Sequence, residues 1–363
     1  MIKLVGSLDW RSFLARPRLP SPSLEALDSL YQQSILITGA GGSIGSALAK
    51  RLAALGPPSL LLLDASESRL YKLRQAWDSG SVPGAMTPIL GNISDRTLLD
   101  EVFTTHCPRI VYHTAAYKHV ALMEEQPLAA IANNVFGTLT LTRAAAVSGS
   151  RLVLLSTDKA VEPSSIMGAT KRLSESIVLA AGGAVLRLGN VLASRDSVTE
   201  TFALQIAMGH PLTITDPAAR RYFLTLDEAV NMMLIAAAEP APALLVPEIA
   251  APTFITDLAH FMAHALAPHS NVELDFSTPR PGEKDPDCLW SASESPRPAS
   301  QPGLLSLQFP AIDREKLEAS LTALRLAVDA RDLSAALTHL CDLVPDYIPS
   351  HTVLAASHHR VSS

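Results

Sequence analysis

Cysteine is scarce: Cys107, Cys288 and Cys341 are the three among 363 residues. An odd, widely spaced trio can form neither a disulfide framework nor a cysteine zinc site, and no metal site is expected. No run of about 18 uninterrupted apolar residues occurs, so no membrane span is expected. The nearest approach, 232–238, stops at Glu239-Pro240. Basic excess is lacking too. Lys plus Arg total 29 against 35 Asp plus Glu, a net charge of −6, which argues against non-specific nucleic-acid binding. The opening MIKLVGSLDWRS has no apolar signal core, so a cytoplasmic protein is expected. Charged residues are only 18% and hydrophobic residues 48%. That balance supports a sizeable core and excludes disorder for most of the chain. The length fits about two units of roughly 150 residues.

What is present is a rhythm. Short apolar runs at 34–38, 59–63, 87–90, 109–113, 151–156 and 184–188 alternate with helical stretches such as 43–55 and 66–77. Continuous apolar strands alternating with helices predict an α/β fold: a doubly wound parallel sheet covered on both faces. Residues 1–32 read as an N-terminal arm, with a proline-rich stretch and a short capped helix over 23–30. Residues 33–190 read as a dinucleotide-binding Rossmann domain. Residues 191–310 read mainly as a smaller mixed α/β substrate domain, with some strands and helices returning to the first. Helices are expected there over 197–208, 226–238 and 255–266, and residues 279–310, rich in Pro and Ser, read as a long loop. Residues 311–363 read as a helical segment, with helices over 312–327 and 330–343, and a polar tail carrying His358-His359.

Between the first run and the first helix stands Thr38-Gly39-Ala40-Gly41-Gly42-Ser43-Ile44-Gly45. Gly39, Gly42 and Gly45 have GxxGxxG spacing, which permits a tight turn, close backbone approach to a pyrophosphate and close helix–strand packing. Ser43 and Ile44 open the helix, whose N–H groups and positive dipole end face such a phosphate. Asp64, at the end of the second run, stands where a carboxylate accepts the ribose hydroxyls and repels a 2′-phosphate. NAD is therefore favoured over NADP, although Arg69 lies close in sequence. Asn92 and Ile93 follow the third run, where an adenine edge or a plain turn would sit.

Ser156-Thr157-Asp158-Lys159 ends the fifth run, and strand carboxyl ends face the ligand crevice in such sheets. Met167 and Lys171 follow with i, i+4 spacing, so they share a helix face. Short-chain dehydrogenases carry a Tyr-x-x-x-Lys pair in such a place. Here the tyrosine position is methionine, which cannot transfer a proton. Asp158 and Lys159 instead supply an acid and a base.

The stretches ILITGAGGSIGS (35–46), HTAAYKHVALMEEQP (113–127), NNVFGT (133–138), STDKAVEPSSIMGATKR (156–172), LRLGNVLAS (186–194), ARRYFLTLDEAV (219–230) and RPGEK (280–284) occur in order. Together they resemble the nucleotide-sugar 4,6-dehydratases of the extended short-chain dehydrogenase family. Specifically, they resemble the UDP-N-acetylglucosamine 4,6-dehydratases of bacterial surface-glycan biosynthesis, in the methionine variant of the membrane-tethered, C5-retaining branch. Two segments depart from that pattern: Ala193-Ser194-Arg195-Asp196 replaces a Gly-Ser anchor, and Asp285-Pro286-Asp287 follows RPGEK.

The resemblance implies a bound, recycled NAD, with hydride taken from C4 of the hexose and returned to C6. It implies Lys159 as the base at C5, Asp158 as the acid at the C6 hydroxyl and Thr157 at the C4 oxygen. Asp158, or a water leading to Lys171, would take the C4 hydroxyl proton in place of tyrosine. Ala115 would let the cofactor approach. Tyr117 and Lys118 would face the sugar or pyrophosphate. Asn190, Arg221, and Arg280 with Glu283 would contact the sugar nucleotide, a UDP-sugar foremost. The helices over 118–149 and 165–181 would pair two subunits in a homo-oligomer. Two alternatives stand beside this reading: an NAD-dependent nucleotide-sugar epimerase, and a non-catalytic NAD-binding protein.

Overall fold

A computed structural model describes residues 5–278, 281–284 and 287–359. Among these, nine strands form one sheet: β1 (Ser34–Thr38), β2 (Ser59–Asp64), β3 (Thr87–Leu90), β4 (Ile110–His113), β5 (Arg151–Thr157), β6 (Ala184–Leu188), β7 (Ala243–Pro247), β8 (Ser295–Pro298) and β9 (Leu304–Gln308). Their order is β8-β9-β7-β6-β5-β4-β1-β2-β3. Strands β1 to β7 are parallel, whereas β9 runs antiparallel to β7 and β8 antiparallel to β9. The chain order reverses between β1 and β4, and this switch point leaves a crevice at their carboxyl ends.

The helices are α1 (Trp10–Leu14), α2 (Leu24–Tyr31), α3 (Ser43–Ala53), α4 (Glu67–Asp78), α5 (Arg96–His106), α6 (Val120–Glu125), α7 (Pro127–Ala130), α8 (Thr138–Val147), α9 (Ile166–Ala180), α10 (Val198–Met208), α11 (Leu226–Ala238), α12 (Ile255–Leu266), α13 (Arg314–Asp329), α14 (Leu333–Leu343) and α15 (His351–His359). A π-helical turn, Ile131–Gly137, joins α7 to α8. The alternation of side chains along β1 divides the core. Ile35 and Ile37 join Leu48 and Leu52 of α3 and Met232 and Met233 of α11 on one face. Leu36 joins Val102 of α5 and Leu141 of α8 on the other. Both faces are apolar, which is why these strands read as unbroken hydrophobic runs.

The arm is no loose appendage. Val5 and Trp10 share a second, smaller core with Phe202, Phe223 and Met262. Arg16 Nη1 lies 2.8 Å from the buried Glu228 carboxylate, which also closes the capping box of α11 with Thr225. Two expectations are corrected. The long loop of 279–310 contains β8 and β9. Ser295–Pro298 is tolerable as a strand because it is the sheet edge, where an outward proline lacks no ladder partner. The tail is helical as far as His359, and its Val353 is buried. Leu139 of α8 and Leu173 and Ile177 of α9 share a core with Leu324 of α13, Leu340 of α14 and Val353 of α15. The helices expected to face a second subunit are thus packed against the same chain's C-terminal helices. Among the described residues no helix is long and apolar enough to cross a membrane.

Candidate active site

The glycine turn is built by backbone contacts. Gly39 has φ +68°, and a Cβ there would lie 2.7 Å from Ala115 Cα, so only glycine lets the β1 turn meet the β4 loop. A Cβ at Gly45 would strike the Gly39 carbonyl. Gly42 caps α3 without a side-chain bond, which leaves an anion-ready helix start. Asp64 Oδ2 accepts from Gly41 N at 2.8 Å and Oδ1 from Ser66 N at 2.8 Å. The Asp64 carboxylate is therefore held in place by two amides. Arg195 crosses over from the second half: its Nη1 donates to Gly41 O at 2.8 Å and its N to Ser43 Oγ at 2.9 Å. Lys118 Nζ donates to Arg195 O at 2.6 Å.

A cavity of about 800 Å³ opens over this turn. Gly39, Gly42, Ser43, Ile44, Gly45, Asp64, Asn92, Ile93, Ala115, Tyr117, Lys118, Thr157, Lys159, Met167, Lys171 and Asn190 line it. The glycine cradle, the fixed Asp64 and the uncapped helix start fit a dinucleotide. Among the described residues no cluster of three or more His, Cys, Asp or Glu could hold a metal ion.

At the end of β5 the charged groups meet. Lys159 Nζ lies 3.0 Å from Asp158 Oδ1, 3.2 Å from Asp287 Oδ2 and 3.3 Å from Asn190 Oδ1. Thr157 Oγ1 donates to Asp158 Oδ1 at 2.9 Å. Burial alone would push the Lys159 ammonium down, but Asp158 and then Asp287 hold it above the ordinary lysine range. Asp158 was expected at the crevice wall. It is instead fully buried behind Thr157 and Lys159, and its Oδ2 has no hydrogen-bond partner among the described residues.

Met167 and Lys171 both face the cavity one turn apart on α9, whose start Ser165 caps through Gly168 N. Gly168 lets α9 abut the Lys159 turn, since a Cβ there would strike the Lys159 carbonyl. Lys171 Nζ donates to Leu155 O at 2.7 Å, and burial pulls its pKa down to about 8 despite Glu175. Asn134, from the π-helical turn, holds the Tyr117 loop by accepting from Tyr117 N at 2.8 Å and donating to Tyr117 O at 3.0 Å.

The remaining expected contacts sit elsewhere. Arg221 does not line the cavity; its Nε lies 2.9 Å from Asp287 Oδ2. Glu283 is exposed and off the cavity wall, on a turn docked through Ser164 Oγ to Gly282 O and Lys284 Nζ to Val161 O. Arg280 lies outside the described residues. Sequence reasoning missed Asp287, Arg195, Gly168 and Asn134 as parts of the site. For Asp287 and Arg195 the available signal was their position in the two segments that depart from the resembled pattern.

Residues 35–308 match the polysaccharide biosynthesis protein family. The probable polysaccharide biosynthesis protein EpsC of Bacillus subtilis is 36% identical over 292 residues, covering 77% of this chain and 49% of EpsC. The capsular polysaccharide biosynthesis protein CapD of Staphylococcus aureus is 37% identical over 268 residues, covering 70% and 44%. The chain thus spans about half the length of these curated relatives. The UDP-glucose 4-epimerase of Rickettsia rickettsii is 32% identical over 276 residues, covering 72% of this chain and 79% of the epimerase. Among solved structures, Pen from Bacillus thuringiensis superposes with a TM-score of 0.68 at 22% identity, covering 81% of this chain and 98% of Pen. A switch-point crevice, a glycine cradle and this run of matched residues lead to one assignment: the chain belongs to the polysaccharide biosynthesis protein family and has the Rossmann fold of extended short-chain dehydrogenases.

Proposed function

We propose that the protein is an NAD-dependent nucleotide-sugar 4,6-dehydratase, a hydro-lyase acting on UDP-N-acetylglucosamine to give a 4-keto-6-deoxy sugar nucleotide for surface-glycan biosynthesis. One observation carries the reading. An amine at the cavity wall, Lys159, is joined to a carboxylate and a hydroxyl, Asp158 and Thr157, while a methionine stands where a proton-transferring tyrosine would. Bound NAD, favoured over NADP by Asp64, supplies reversible hydride exchange. The protein's own residues move the protons. Thr157 Oγ1 hydrogen-bonds the C4 oxygen and already donates to Asp158 Oδ1, so the C4 hydroxyl proton passes through Thr157 to Asp158. This route supersedes a direct contact with Asp158, which is enclosed. Lys159, as neutral amine, removes the C5 proton that the C4 ketone acidifies. Asp158 passes its proton through Lys159 Nζ, 3.0 Å away, to the departing C6 hydroxyl. The count balances: Lys159 gives one N–H proton to the released water, is refilled from Asp158, and returns one proton to C5, so both carboxylate and amine end as they began. Each positioned transfer is worth roughly a hundred- to ten-thousand-fold.

The test is incubation of the protein and NAD with UDP-N-acetylglucosamine, read by mass spectrometry. A product lighter by one water is expected, and Lys159→Ala should lower its rate by about a hundred- to ten-thousand-fold. Unchanged mass with a new stereoisomer would make the protein an epimerase, the activity named for the Rickettsia relative. No turnover of any UDP- or dTDP-hexose would leave a binding protein. Full dehydratase activity in Lys159→Ala would remove the base assignment.

A further inference from the structure

Asp287 is a charged group of the site that neither the glycine turn nor the Thr157-Asp158-Lys159 segment supplies. Its side chain is 1% exposed and reaches Lys159 from 128 residues further along the chain. Its Oδ2 is shared, 3.2 Å from Lys159 Nζ and 2.9 Å from Arg221 Nε. A carboxylate so buried is retained only with partners. Arg221 is a permanent cation, whereas Lys159 can give up a proton.

Resting on the dehydratase reading, we infer that Asp287 is a positioning residue that takes the proton of Lys159 and thereby leaves a neutral amine facing C5. The step is Lys159-NH3+ plus Asp287-COO− to Lys159-NH2 plus Asp287-COOH. One N–H bond breaks, one O–H bond forms, and the net charge of the cluster does not change. The proton returns to Lys159 when product leaves.

The surroundings favour such a transfer. Asp158, Lys159 and Arg221 face Asp287, so the cluster balances two carboxylates against two cations. The Lys159 side chain is 29% exposed, so water still supports its charge in the free protein. A sugar covering that amine removes the water, which disfavours the ion pair and favours the neutral pair. Burial and the Asp158 charge hold the Asp287 carboxyl above the ordinary range against the pull of Lys159 and Arg221, which suits it to accept a proton. Burial, Cys288 and Asp158 push the nearby Tyr222 hydroxyl up, so it keeps its own proton and does not compete.

Two measurements on full-length protein test this. In the first, acetic anhydride labelling of Lys159 against pH is followed by peptide mass spectrometry in wild type, Asp287→Asn and Asp287→Glu. Removing one facing charge should lower the Lys159 labelling midpoint by one pH unit or more in the Asn variant and leave it near wild type in the Glu variant. An Asn midpoint equal to wild type, in a variant with a normal thermal melt, overturns the coupling. This arm needs no substrate, so it decides the coupling even if the dehydratase reading fails. In the second, kcat is profiled against pH with UDP-N-acetylglucosamine. Asp287→Asn should lose on the order of a hundredfold at neutral pH and recover as pH rises, because solvent must then remove the proton. Asp287→Glu should restore most of the neutral rate with KM little changed. A loss in Asp287→Asn that is equal at every pH, or no loss at all, overturns the proton-acceptor role. If wild-type protein releases no water, it is the dehydratase reading that falls.

Discussion

The turn after β1 and the cluster after β5 are both strand-end sites on one sheet, yet they are made differently. The first is backbone: glycines at close approach, a helix start, and a carboxylate held by two amides. Its glycines, helix start and carboxylate all lie within one βαβ unit and the turn that follows it. The second is side-chain charge, and its members come from the turn after β5, from Asn190, from Arg221 and from Asp287. A local motif can encode a backbone cradle. A balanced charge cluster has to be gathered by the fold, because a buried charge is tolerable only when its partners arrive with it.

That contrast can be broken by substitution. The largest effect is expected at the cradle. Gly39→Val puts a branched side chain at φ +68° and into Ala115, so NADH binding, followed by fluorescence titration, should weaken by more than about a hundredfold, about 3 kcal/mol. Saturable binding near wild-type affinity would show that the turn yields.

A smaller effect is expected beneath both sites. His113 bridges Thr38 and Thr138 hydroxyls at 2.8 and 2.9 Å, and burial, with Lys171 nearby, lowers its pKa from 6.5 to about 3. The unfolded chain then binds a proton that the folded chain refuses. This contribution to stability is complete above pH 6.5 and is lost as pH falls from there towards about 3. Urea unfolding between pH 7 and 4 should show a slope of up to about 1.4 kcal/mol per pH unit from this group. His113→Gln should flatten it; an unchanged slope would assign the acid sensitivity to other groups.

The smallest effect on chemistry is expected at Met167. Its thioether exchanges no proton, so Met167→Ala should slow dehydration by less than about tenfold while costing about 2–5 kcal/mol of stability as a cavity. A loss matching that of Lys159→Ala would place methionine in the reaction itself.

Much of this was legible in the chain. Gly39, Gly42, Gly45 and Asp64 announce their places because the turn and the strand end are local geometry. The alternation of apolar runs announces the parallel sheet because both its faces are buried. The strands Ser295–Pro298 and Leu304–Gln308 were hidden, since edge strands carry prolines that look like a loop. The packing of α13, α14 and α15 against α9 was hidden as well, since an apolar helix face does not say which apolar face it will meet.

The order of residues alone determined the first six strands of the sheet, the glycine turn and the meeting of Thr157, Asp158 and Lys159 at one strand end, because each depends on spacings shorter than a helix or two. Only the tertiary structure decided that Asp158 turns inward, that Arg221 serves Asp287, and that Asp287 reaches Lys159. The reason is physical. Spacing fixes where the backbone goes, but which charges are buried together depends on the distant segments that must exclude water around them.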